Sequence, residues 1–133
     1  MAQITPTVIT QIFLMALLAL GYLRYRAGDL RSHGLILVAA TVIHYASVIL
    51  QMLPVFLSEY PSFTSTPLAS FTLLNVAHDV TGGAAMILAA YISIRWIANG
   101  LNPKGCTGKT LMRATIITWF ASLLIGLYVH LTT

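Results

Sequence analysis

Asn75, His78 and Asp79 stand inside a long apolar run, NVAHDVTGGAAMILAAY, with Gly82-Gly83 one turn on and Met86 one turn further. Separations of three or four residues put them on one stripe of a helix. An ionisable residue in such a segment is costly in lipid and tends to mark function. Neutral imidazole is the ligand of haem iron, copper and zinc, so a histidine here points to metal chemistry. The chain carries four histidines, His33, His44, His78 and His130. His33 and His44 are three helical turns apart and share a face, continued by Ser47 and Gln51. Trp119, Ser122, Gly126 and His130 form a second such face near the end of the chain.

Depth decides which histidines can meet. At a rise of about 1.5 Å per residue, His78 and His130 both lie roughly 25–28 Å from the basic ends of their helices. His44 lies roughly 18 Å from its own end, and His33 stands at the boundary. His78 paired with His130, or with His44, predicts trans ligands of a b-type haem in the core of a helix bundle. Gly82, Gly83 and Gly126 then supply bare surface for a porphyrin, and Asp79 or a backbone carbonyl fixes the second imidazole nitrogen. Met86 is an alternative axial ligand, and copper an alternative metal. His33, beside Arg31 and Ser32, reads as interfacial. The plainer reading of the same residues is interhelical hydrogen bonding and a close Gly-Gly crossing. No catalytic-triad set, phosphate loop, CxxC or HExxH occurs, which speaks against a conventional enzyme.

The elements that must position these residues are membrane spans. Of 133 residues 58% are hydrophobic and 8% charged, and mean hydropathy is +0.86; a soluble domain carries about 25% charged residues. Four helices are expected, at about residues 7–23, 30–53, 67–98 and 110–131. Pro54 is expected to end the second, and VFLSEYPSFTSTP to form an irregular lid or short interfacial helix. The fold class is therefore all-α, an integral membrane up-down-up-down four-helix bundle forming a single domain. All seven Lys and Arg residues fall in and beside two loops, and none at 1–10, 54–67 or 131–133. Cationic loops stay cytoplasmic, so both termini are expected outside a prokaryotic plasma membrane. The basic loops face water and lipid, and the net charge of +4 is not a nucleic-acid patch. Cys106, the only cysteine, is read as a reduced thiol in the second basic loop.

Three stretches, RSHGLILVA, LLNVAHDVTGGAAMILA and GKTLMRATIITWFASLLIGLYVHL, resemble the small four-helix membrane family known as domain of unknown function 420. His33 and His78 match its histidines, and Arg113 with Trp119 matches its last helix. Where that family often carries a His-containing basic stretch, this chain reads NPKGCTGK. The resemblance implies a part in maturation or activity of haem–copper terminal oxidases. Two readings follow. One is a haem-binding electron carrier of a respiratory chain. The other is a cofactor-free assembly factor or accessory subunit of a larger membrane redox complex, docking through small residues such as Gly82, Ala85 and Ala89.

Overall fold

The protein is described here from a computed structural model, which covers residues 5–65, 70–102 and 108–132. Among these residues every regular element is helical: α1 (Pro6–Arg26), α2 (Leu30–Ser47), a π-helical stretch (Val48–Met52), α3 (Leu53–Ser65), α4 (Ser70–Ala98) and α5 (Lys109–Thr132). Four helical segments are long and apolar enough to cross a membrane: Pro6–Arg26, Leu30–Pro61, Thr72–Ala98 and Lys109–Thr132. In hydrocarbon a helix is the economical form, because it satisfies its own backbone groups. Its hydroxyls follow the same rule. Thr41, Thr81, Thr115 and Thr118 each donate to the carbonyl four residues back.

The second span differs from the sequence expectation. Pro54 does not end it; the helix continues through α3, so that Leu30–Pro61 runs unbroken for 32 residues. Two features reconcile proline with continuity. Pro54 follows closely on the π-helical stretch, where the regular four-residue hydrogen-bond ladder is already interrupted and its missing N–H forfeits little. The turn before it is wide: Leu53 N–H reaches back five residues to the carbonyl of Val48. At about 1.5 Å per residue the span measures about 48 Å, well beyond a ~30 Å hydrocarbon core. Of the stretch expected to form an irregular lid or short interfacial helix, residues 55–65 are helical and continue the second span. The expected start of the third helix at residue 67 lies outside the described residues, as do Cys106 and Lys104.

Both basic turns open alike. After α1, Gly28 takes φ +79°, Gly28 N–H bonds Tyr25 O and Asp29 N–H bonds Arg24 O. After α4, Gly100 takes φ +68°, with the same pair of bonds to Ile97 O and Trp96 O. Each is a Schellman end, and glycine is the residue that adopts it without strain. Asp29 then caps α2 by accepting the backbone N–H of Ser32 at 3.1 Å.

The helices pack as a closed ring in which α1 meets α2, α2 meets α4, α4 meets α5, and α5 returns to α1. Leu14, Leu18, Ala40, Ala85, Ala89, Trp119 and Leu123 form the core. The large indole of Trp119 is accommodated by alanines, an interdigitation of large and small that membrane bundles rely on. A second indole is fitted by a glycine. A Cβ on Gly34 would lie 2.6 Å from Cε2 of Trp96, so the ring lies flat on the bare backbone of α2. Ala85 and Ala89 are only 1% and 5% exposed. The small-residue face expected to dock a partner is therefore used up within the chain, against its own core. Ile87, Ile94, Ile117 and Leu50 point outward, as lipid-facing residues do.

Candidate functional site

His78 lies on α4 one turn above Gly82, where α4 and α5 run close together. A Cβ on Gly82 would come 3.0 Å from Ser122 Oγ, so this glycine allows the crossing. The closeness has a chemical result. His78 Nδ1 donates to the Ser122 carbonyl at 2.9 Å, and Ser122 Oγ donates to the His78 carbonyl at 3.2 Å. A carbonyl can only accept, so Nδ1 carries the proton and Nε2 keeps its lone pair. Metal-binding histidines are oriented in this way, by a backbone carbonyl on the far ring nitrogen.

His78 lines a cavity of about 170 Å³. Its other polar walls come from α1 (Thr7 and Gln11), the π stretch (Gln51), α3 (Glu59), α4 (Asn75 and Asp79) and α5 (His130). Met52 adds a thioether, and no Lys or Arg lines the space. Three buried polar atoms on these walls have no hydrogen-bond partner: Oε1 of Gln11, Oε1 of Gln51 and Nδ2 of Asn75. Orphaned groups of this kind are costly unless water or a polar guest completes them. All three belong to residues that line this one cavity.

The other expected site residues fall as follows. His130 lines the same cavity, with Nε2 2.7 Å from Thr5 Oγ1. His44 does not line it. Its Nδ1 accepts the indole N–H of Trp119 at 3.3 Å, with the two rings edge to face at 5.2 Å. Gly126 faces the cavity, but a Cβ there would meet His78 Cε1 at 2.5 Å, so its bare surface is covered by the imidazole. Gly83 has nothing within 4 Å of where a Cβ would stand. Asp79, expected as one possible partner of the imidazole, lines the cavity but is an exposed residue. Adjacent helical positions differ by about 100°, so with His78 turned toward α5 Asp79 faces outward. The imidazole partner is accordingly the Ser122 carbonyl. Met86 does not line this cavity; its carbonyl accepts the Tyr45 hydroxyl at 3.1 Å.

His33 departs from the expectation of an interfacial residue. It is 2% exposed, and its Nδ1 donates to the Gly21 carbonyl at 2.7 Å. The Tyr25 ring stands 5.5 Å away and shields it. It belongs to the other end of the molecule from His78. Glu59 was missed as a cavity residue because a helix carried through Pro54 was not expected, and Met52 because it stood as an ordinary apolar residue at the end of the expected second helix. Their spacing with Val55 and Phe56 would have revealed a helical face had the proline not been read as a stop.

Among the described residues no group of three or more His, Cys, Asp or Glu is gathered closely enough to hold a metal ion unaided. Compared with known protein families, characterised proteins and solved structures, the chain matches none.

Proposed function

We propose that this chain is a multi-pass membrane protein that serves assembly of a membrane redox complex by holding a single metal ion, copper in the first instance, in the His78 cavity. The observation that carries this reading is His78 itself: Nδ1–H is committed to the Ser122 carbonyl, and Nε2 is left as a donor beside a small polar cavity. The donor set suits the ion. Imidazole from His78 and His130 and the thioether of Met52 are ligands copper accepts, and Glu59 and Asp79 supply negative charge without any opposing Lys or Arg. An ion held by one fixed nitrogen and partners from other helices keeps open positions. That suits hand-over to another protein more than permanent storage. The redox-complex setting rests on the family resemblance. In this reading the spans run up-down-up-down, with the basic turns cytoplasmic and both termini outside a prokaryotic plasma membrane.

A b-type haem between His78 and His130 is the second reading, favoured by the same orientation of His78. The residues present do not frame a porphyrin. A cavity of about 170 Å³ compares with the roughly 150 Å³ that holds a single benzene. Gly126, the bare surface a porphyrin would need, is covered by the His78 ring.

Titration of the purified protein with Cu(I) against a chromogenic chelator tests the reading. One equivalent is expected, with His78→Ala weakening it at least about tenfold and His130→Ala and Met52→Ala each weakening it less. Failure to hold one equivalent, or His78→Ala binding as the wild type does, would overturn it. A Soret band in protein from native membranes would transfer the site to haem.

A further inference from the structure

At the opposite end of the ring, between the end of α1 and the starts of α2 and α5, lies a cavity of about 200 Å³. Its chemistry is the reverse of the His78 cavity. Arg26, Lys109 and Arg113 line it, and no carboxylate does. Asp29, the acidic residue of the adjoining turn, is directed instead at Arg24, 3.8 Å away. Tyr22 and Tyr25 also line the cavity, and Arg26 Nη1 donates to the Tyr22 hydroxyl at 3.4 Å. His33 closes the set. Its Nδ1–H is committed to Gly21 O, while Nε2 is buried with no hydrogen-bond partner. Three cations gathered without a counter-charge repel one another, and an unpartnered buried nitrogen is costly.

We propose that this cavity binds the headgroup of an anionic phospholipid, a phosphodiester carrying a hydroxylated substituent. The phosphate oxygens take the Arg26, Arg113 and Lys109 donors, with arginine suited to fork onto phosphate. The headgroup hydroxyl donates to His33 Nε2, which in this tautomer can only accept. Placement favours a lipid over a free anion. The cavity lies where spans meet the basic turns, the tyrosines are of the type that settles at headgroup level, and Ile116 adds an apolar wall toward the spans. Basic pockets between spans at the cytoplasmic surface are a recurrent headgroup site. This inference is independent of the metal reading, since it uses none of the same residues.

Native mass spectrometry of the detergent-solubilised protein, offered defined lipids, tests it. Phosphatidylglycerol is expected to remain bound at one per chain, at least about tenfold in preference to phosphatidylcholine. The double variant Lys109→Gln/Arg113→Gln alters two exposed residues and leaves the core intact; it should lose that preference. Phosphatidylethanol, the same phosphodiester without the hydroxyl, is expected to bind several-fold more weakly than phosphatidylglycerol to the wild type. It should bind equally to His33→Phe. Equal retention of phosphatidylcholine, or an undiminished preference in the double variant, would overturn the proposal. Displacement of the lipid by millimolar glycerol 3-phosphate would assign the cavity to a free phosphate and overturn the lipid assignment.

Discussion

The imidazole of His78 occupies the space that a side chain on Gly126 would need: a Cβ there would stand 2.5 Å from Cε1 and 2.9 Å from Nδ1. Gly126→Ala must therefore displace the ring from the Ser122 carbonyl. The expected outcome is a loss of about 1–3 kcal/mol of stability, typical of overpacking, together with loss of copper retention comparable to His78→Ala. Thermal unfolding in detergent and chelator competition measure the two effects. A Gly126→Ala protein with both unchanged would show that α5 does not hold His78 as described.

The pairing of Trp119 with His44 makes a separable prediction. Trp119→Phe keeps an aromatic ring in the core and removes the indole N–H that His44 Nδ1 accepts. A cost of about 0.5–1.5 kcal/mol is expected, as for one buried hydrogen bond. Copper affinity should stay unchanged, because neither residue lines the His78 cavity. A fall in affinity would move His44 into the site.

The cap on α2 sets an acid-side dependence. Hydrogen bonds from Ser32, its hydroxyl first and then its backbone N–H, hold the Asp29 carboxyl below its ordinary value of 3.8, with Arg24 adding to them. A lowered value stabilises the folded state above 3.8, and that contribution is lost as pH falls through the lower folded value. Asn is also a good N-cap and does not titrate. Melting curves at about pH 2 to 6 should show the wild type losing ground to Asp29→Asn below pH 3.8. Parallel curves for the two proteins would remove Asp29 from the acid response.

Orientation is open to chemistry on Cys106, the only thiol of the chain. In intact cells a membrane-impermeant maleimide is expected to leave it unlabelled, and permeabilisation to expose it. Labelling from outside would invert the proposed arrangement and place both termini in the cytoplasm.

The four apolar spans and both basic turns were legible, because length and hydropathy dictate the first and Gly28 with Gly100 mark the second. The stripe from Asn75 to Gly83 was legible as a special surface, since polar residues in apolar sequence stand out. What filled that surface was not. Whether a glycine faces a porphyrin, a serine or an imidazole depends on the neighbouring helix, and Gly82 and Gly126 answer to Ser122 and His78. Ala85 and Ala89 were misread as an outer face for the same reason. Pro54 misled because local chemistry predicts a stop, whereas one wide turn absorbs it. The His33 cavity escaped notice because its arginines and lysine were counted as loop charges, a property of sequence position, while their convergence is a property of the fold.

The wide turn at Val48–Met52 also fixes how α3 is rotated about the axis it shares with α2. It accommodates one residue more than a regular helix would over the same rise, so the residues beyond it are phased about 100° away from a straight continuation. Met52, Val55, Phe56 and Glu59 all reach the His78 cavity in that phase. Deleting a single lipid-facing residue such as Ile49 would let the helix close up as a regular spiral and swing Glu59 off the cavity wall. A point substitution at Ile49 has no such reach. The stretch is therefore tolerant of changes in identity and intolerant of changes in length, and a frame of one residue there governs a carboxylate ten positions away.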